Sequence, residues 1–390
     1  VNIVFHLAAT VNLSEKLKTA ASINVTGTYE LLKLCKAMKN LKSIVYTSTA
    51  YSHSQNTVIS ERFFSSPTDP KQLMNLVKNL SDNLLEDLTA RLLQNHPNSY
   101  TFTKAVAEEL INEFGKDLPA AIIRPSIVVS SYKEPFRGYI NCLYGLTTLI
   151  SIISCGLLKS LHCDPDKTAN VVPADMCVNA MIAIAVDADR SFKTRSEEDA
   201  NEIPIYHFES SRDMPITWRE FIGRTMDVGK KWPSMQTVWY STLTLQKHYF
   251  FHLMFMIFYN FIPGAFSDFI TLIAGRTPWY VKTLKSSFKM TNDLSYFTTK
   301  DFTFLSKRMH YLLERMTPED KKLFFCDLRQ LQWEEFFKTY FLGMRIYVLR
   351  DPIKTAKAAR IKLRKLYLMS KIYKIFLTLL LSLLLYYIFL

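Results

Sequence analysis

Glycine is scarce in this sequence: ten residues in 390, with none among the first 26. No three of them fall at Gly-x-x-Gly-x-x-Gly spacing, which excludes a phosphate cradle of that kind within the chain. The six cysteines (Cys35, Cys142, Cys155, Cys163, Cys177, Cys326) form no Cys-x-x-Cys pair and lie near no histidine cluster. That spacing argues against a zinc site or a disulfide framework and fits reduced cytosolic thiols, with no metal expected. The first residue is Val, no signal peptide precedes the first apolar run, and the sequence is expected to lack its natural start. Acidic residues are absent from 354 to 374, where eight Lys/Arg are found, so most of the net +13 belongs to that tail. The remainder is only mildly basic, which excludes a nucleic-acid surface spread over the fold. No internal repeat stands out.

What is present alternates. Residues 1–9 (VNIVFHLAA) read as a buried strand, followed by a helical stretch through Asn24 that ends near Asn40. A second apolar strand, 43–48, breaks into the polar turn 49–52. Residues 54–98 are polar, with prolines as punctuation and a helical stretch at 72–93. A third strand, 120–125, is stopped by Pro125. An apolar helix is predicted at 138–155, then a short apolar run at 171–173 with Asp175 placed to cap a helix at 176–186, and a late strand at 203–208. Strands alternating with helices predict a parallel sheet covered on both faces, a Rossmann-like α/β fold incomplete at its N-terminus. Beyond Trp218 the pattern turns helical and aromatic. The predicted division is 1–230 for the Rossmann-like domain, 231–350 for a mainly helical domain, 351–374 for a basic segment and 375–390 for a C-terminal transmembrane helix.

Ser99-Tyr100-Thr101-Phe102-Thr103-Lys104 opens a further helical run. Tyr100 and Lys104, four apart, fall on one helix face. A phenol titrates near pH 10, too high for acid–base work at neutral pH. An ammonium held close stabilises the phenolate, so the spacing predicts a Tyr that gives and takes a proton during carbonyl chemistry. In parallel sheets the chemistry sits at the carboxyl ends of the strands. The turns after residues 7, 48 and 124 should therefore share one rim with this helix. They carry His6-Leu7-Ala8-Ala9, Ser48-Thr49 and Arg124-Pro125-Ser126.

Several runs together resemble the fatty acyl-CoA reductases, relatives of the extended short-chain dehydrogenases. They are Phe5-His6-Leu7-Ala8-Ala9-Thr10, Asn24-Val25-Thr26-Gly27-Thr28, Val45-Tyr46-Thr47-Ser48-Thr49-Ala50, Tyr100 through Lys104 and Ile123-Arg124-Pro125-Ser126. Tyr132-Lys133-Glu134-Pro135, Cys163-Asp164-Pro165-Asp166, Pro215-Ile216-Thr217-Trp218 and Trp333-Glu334-Glu335-Phe336-Phe337 extend the likeness over nearly the whole chain. The resemblance implies NADPH as hydride donor and a long-chain fatty acyl-CoA as substrate. It implies Tyr100 as proton donor, Lys104 holding the nicotinamide ribose, and Thr49, or else Ser48, bonding the carbonyl oxygen. Ala8, Ala9 and Asn24 would lie along the cofactor, and the Arg124, Pro125 and Ser126 segment would face the nicotinamide. The glycine-rich turn such proteins carry is missing here, so weak cofactor binding and poor folding are expected of the chain as it stands.

Other features carry weaker expectations. His6 reads as a packed rim residue rather than a base, and Asp175 as structural. Cys163 is a rival acyl-accepting nucleophile, but its neighbours form no nucleophile motif. Residues 249–266 (YFFHLMFMIFYNFIPGAF) read as a helix pair broken at Pro263-Gly264 that either packs inside the second domain, lines an acyl pocket or dips into a membrane. Residues 375–390 are apolar apart from Thr378 and Ser382, and the cations before them predict insertion with the catalytic part on the cytosolic side, at the endoplasmic reticulum or a peroxisome. The expected partners are acyl-CoA and membrane lipid, with no nucleic acid; a homodimer is left open. The rival readings are another extended short-chain dehydrogenase acting on a sterol or sugar, and a catalytically inactive membrane scaffold.

Overall fold

The computed structural model describes residues 1–141, 144–196 and 202–389; Cys142 and Leu390, named above, lie outside them. The chain forms two compact units that are not consecutive in sequence. The first holds 1–135, 168–216 and 300–331, and the second holds 136–167, 217–299 and 332–390. Three segments therefore depart from the linear division at 230. Residues 136–167 and 217–230 pack with the helical unit, and 300–331 return to the first unit, where Thr303–Phe304 pairs with Val58–Ile59.

In the first unit, four parallel strands stand in the order Ile3–His6, Ser43–Thr47, Ala120–Pro125, Ile205–Phe208. Parallel neighbours need crossovers, and helices supply them between these strands. Ala120–Pro125 is buried at every residue because it has a strand on each side and cover on both faces. The first strand departs from its buried reading. It is shorter than 1–9, it stands at an edge, and Ile3 and Phe5 are exposed. An apolar run looks alike at an edge and at a centre, so sequence could not separate the two.

The predicted 72–93 helix is two helices, Pro70–Asn79 and Asp82–Leu93. Asp69 caps the first through Gln72 N–H at 2.8 Å, and the chain turns extended at Leu80 before the second begins after Ser81. Asp175 is structural, but not as a helix cap: it sits inside the helix Ala174–Thr194. Its carboxylate accepts the backbone N–H groups of Tyr132, Lys133 and Glu134 at 2.7, 2.7 and 3.0 Å, pinning that loop. The late strand is Ile205–Phe208, as the pattern predicts within two residues.

The second unit is mainly helical. Its middle segment, 217–299, opens on a capping box, in which Thr217 and Glu220 satisfy each other's backbone N–H groups ahead of the helix Trp218–Lys231. The apolar helix predicted at 138–155 begins only at Gly145, a residue at φ +51°. A close backbone approach explains Gly138 and Gly343. A Cβ at 343 would stand 1.7 Å from the Gly138 carbonyl oxygen, and one at 138 would stand 2.0 Å from that of Thr339. The aromatic run is not broken at Pro263-Gly264. Helix Tyr249–Met256, a π turn Ile257–Phe261 and helix Ile262–Ile273 follow one another, with Pro263 tolerated in the first turn of the last. The basic segment and the predicted anchor share one 34-residue helix, Ala356–Phe389.

Candidate active site

The site is built at the carboxyl end of the sheet in the first unit. The helix Ser99–Phe114 carries Tyr100 and Lys104 and starts on Asn98, whose Oδ1 accepts the Thr101 N–H at 2.9 Å. Opposite it, the turn after Ser43–Thr47 is held by ladder bonds to the next strand. Ser48 N–H donates to the Ile123 carbonyl at 2.8 Å and Ala50 N–H to that of Pro125 at 2.9 Å. These bonds fix Thr49 between them. Its hydroxyl lies close enough to the Tyr100 phenol to favour the phenolate.

Lys104 is almost fully buried. Its ammonium donates to the Thr47 carbonyl at 2.7 Å and lies 4.9 Å from the centre of the Tyr46 ring. Burial pulls its pKa down to about 8, against the opposing pull of Glu108. The predicted acidification of Tyr100 by this lysine is corrected by the structure. Burial pushes the Tyr100 phenol up to about 12, only partly offset by the nearby Thr49 hydroxyl, and Lys104 is not among the causes. The ammonium is turned to a carbonyl and a ring face, and low dielectric disfavours the phenolate. Tyr100 is therefore held protonated, in the form that donates.

Ser48 and Thr49 separate cleanly. The Ser48 hydroxyl donates to Glu108 Oε1 at 2.5 Å, whereas Thr49 reaches Tyr100. Glu108 is the residue that sequence reasoning missed. It lies one turn beyond Lys104 and is buried at the centre of a polar cluster. Arg124 grips it through Nε at 2.9 Å and Nη2 at 2.6 Å, Ser52 Oγ donates at 3.0 Å, and His53 Nε2 stands 3.0 Å away. Burial would raise its pKa, but the Arg124 guanidinium and His53 outweigh it and hold the carboxyl far below the usual range. Its place four residues past Lys104, on the face that carries Tyr100 and Lys104, was the available signal.

The cofactor-site residues named from the resemblance fall into three groups. Arg124 is engaged through its side chain: besides Glu108, it donates to the carbonyls of Ser60 and Arg62 at 2.9 and 3.0 Å. Its Nη1 also meets His207 Nε2 at 3.3 Å. Arginine has no acceptor, so Nε2 must accept there and Nδ1–H must face the Leu305 carbonyl at 3.2 Å. Burial and the guanidinium lower the His207 pKa to about 3, in keeping with a neutral ring. Asn24 is a brace: it exchanges hydrogen bonds with the Thr10 backbone and donates to Thr103 Oγ1 at 3.0 Å. That ties the turn after the first strand to the Tyr100 helix. Ala8 is exposed and Ala9 half-buried on that turn, and the Pro125 carbonyl is engaged by Ala50.

Ser126 differs. It is buried, and its hydroxyl has no hydrogen-bond partner. An ammonium has three donors, and the hydrogen bond to Thr47 accounts for one of Lys104's. An orphaned hydroxyl and unused ammonium donors on one rim fit a polar, hydroxyl-rich group such as a nicotinamide nucleotide. His6 is no base: Nε2 is 2.9 Å from Thr28 Oγ1, and burial, with Lys104 nearby, lowers its pKa to about 4. Cys163 lies in the other unit, fully buried, with its thiol pushed up by burial, which argues against a thiolate nucleophile.

Two family profiles described as Male sterility protein match the chain, an NAD-binding one over residues 1–181 and a Sterile one over 259–351. The chain is 36% identical over 352 residues to Fatty acyl-CoA reductase wat of Drosophila melanogaster, covering 90% of this chain and 66% of that protein. It is 34% identical over 370 residues to Fatty acyl-CoA reductase 1 of Gallus gallus, covering 94% and 70%. The chain thus spans about two thirds of the length of these relatives. Among solved structures, the terminal R domain from the myxalamid PKS-NRPS biosynthetic pathway shares the fold, with a TM-score of 0.50 at 16% identity over 89% of this chain and 69% of that one. A nicotinamide-binding parallel sheet, its Tyr–Lys helix and these two close likenesses in sequence carry one conclusion: the chain belongs to the fatty acyl-CoA reductase family.

Proposed function

We propose that the chain carries the catalytic groups for reducing a long-chain fatty acyl-CoA to a primary alcohol with NADPH. The observation that supports this most directly is the Thr49 hydroxyl set beside the Tyr100 phenol on the strand-end rim, with Lys104 one helical turn away. When bound, NADPH supplies a hydride in each of two successive reductions. Lys104, with its free donors, and Ser126 would hold the nucleotide. The Tyr100 and Thr49 hydroxyls converge on one place, where a thioester carbonyl oxygen can accept both. As that oxygen gains negative charge, the two donors stabilise it and Tyr100 passes its proton over. A pKa of about 12 still leaves Tyr100 a far stronger acid than the alcohol that an alkoxide becomes. The hemithioacetal so formed loses CoA thiol to give an aldehyde, and the same two hydroxyls serve its reduction to the alcohol. Overall, one acyl-CoA, two NADPH and two protons give one alcohol, one CoA and two NADP.

The reading places the protein at a cytosolic membrane face, of the endoplasmic reticulum or a peroxisome. The apolar end of Ala356–Phe389 serves as anchor, and the exposed part of its basic half faces anionic lipid. The test is Tyr100→Phe in the membrane-bound protein, following conversion of labelled acyl-CoA to alcohol. A loss of about 10² or more is expected. Near-normal turnover would sink the assignment.

A further inference from the structure

Within the second unit, the segment Tyr249–Ile273 is an amphipathic helix turned inside out. It is long and apolar enough to cross a bilayer, yet only 17% of its most apolar part is buried. The stripe facing the unit is His252, Met256, Asn260 and Gly264, spaced by four and all buried. His252 Nδ1 is 2.9 Å from Ser160 Oγ. Asn260 accepts the Lys159 N–H at 3.2 Å and donates to the Leu157 carbonyl at 2.7 Å. Gly264 lets the Tyr280 ring approach to where a Cβ would meet it at 2.6 Å. The outward face carries Phe250, Phe251, Phe266, Phe269, Leu272 and Ile273, all at least half exposed. A water-facing helix has the opposite arrangement, with its apolar stripe inward.

We propose that this outward face lies in the surface of a lipid bilayer, a contact separate from the C-terminal anchor. Polarity and charge both favour lipid. The segment's one charged residue, Asp268, accepts the N–H groups of Trp279, Tyr280 and Val281 at 3.1, 2.9 and 2.9 Å, so its carboxylate is turned to the start of the next helix. Cations border the face instead. Arg276 follows it, and Lys371 and Lys374 stand exposed on the long C-terminal helix, whose Tyr373 hydroxyl donates to the Phe258 carbonyl at 3.2 Å. Anionic headgroups complement such a rim, while a second copy would bring like charge against it. Exposed Tyr249 and Trp279 at the two ends suit the headgroup boundary. The inward hydrogen bonds hold one side of the helix to protein along its length. It therefore lies in the interface rather than crossing.

Nitroxide labels at Phe266→Cys and Ile273→Cys test this in the full chain, with Cys142→Ser, reconstituted into phosphatidylcholine–phosphatidylserine vesicles. The five described native cysteines are buried. Both labelled sites are strongly exposed, at 65% and 72%, so neither change disturbs packing. Oxygen collisions should dominate over those of a water-soluble nickel chelate, at depths of about 5–10 Å for both labels. Water-like accessibility overturns the proposal. So does dipolar broadening from a neighbouring copy. A graded depth reaching about 15 Å, the middle of the core, would mean a span and overturns it as well. A label at Ser382→Cys reads the anchor separately, so failure of one contact is not mistaken for failure of the other.

Discussion

Two buried ionisable residues set what the rim can do. Lys104 has a pKa near 8 in the folded chain and near 10.4 when unfolded. Between those values the unfolded state holds more protons, so this group's contribution to stability grows as pH rises through the window. Its ammonium is meanwhile lost. NADPH affinity should therefore weaken above pH 8 in the wild type, and Lys104→Gln should bind weakly with a flat profile; a sloping profile in the variant would place the titrating group elsewhere. Glu108 gives a different outcome. Removing its charge leaves Arg124 buried without its counter-ion, which costs about 3–5 kcal/mol. Glu108→Ala should lower the unfolding midpoint sharply, and thermal melts of the purified protein would show it. Sequence showed Tyr100 and Lys104 through their spacing, and Thr49 through its place after a strand. It could not show where the ammonium points or that Glu108 gathers Arg124, Ser48, Ser52 and His53, because those partners come from a turn about 55–60 residues earlier and from the strand that follows the helix.

Among elements, contiguous apolar runs were legible and polar contacts were not. Ser43–Thr47 and Ala120–Pro125 could be seen because both are flanked by breakers, and the Tyr100 helix because a run of Ala, Glu, Leu and Ile continues it. Asp175 was seen as structural, but its loop partners lie more than 40 residues away. Asp175→Ala should cost roughly 2–3 kcal/mol, by leaving three N–H groups without their charged acceptor, and should raise protease sensitivity at 132–134. The long helix Ala356–Phe389 mixes two roles. Arg360 donates to the Lys231 carbonyl at 3.0 Å and Lys362 to that of Met235 at 2.8 Å, so part of the basic run docks on the second unit. Deleting 375–390 should move the protein from an alkali-resistant membrane fraction to a salt-extractable one. Persistent alkali resistance would assign the anchoring to Tyr249–Ile273 instead.

For the whole molecule, the chain passes between its two units five times, at 135, 167, 216, 299 and 331. A fragment ending at 230 lacks the residues that close the first unit. Ser306 donates to the buried Glu209 at 3.0 Å, His310 meets Asp213 at 2.9 Å, and Thr303–Phe304 completes a strand pair. Such a fragment should show broad, poorly dispersed amide resonances where the intact chain is ordered, while well-dispersed resonances would prove the first unit autonomous. The free side of Ile3–His6 has a further consequence. Among the described residues the strand is hydrogen-bonded on one side only, with Ile3 and Phe5 at the surface. A row of unpaired amides flanked by apolar side chains is a template on which another molecule's strand can grow. Concentrated samples should accumulate thioflavin-positive assemblies seeded there. Phe5→Lys, which places a charge on that edge, should slow their growth without touching the rim where Tyr100 and Thr49 meet.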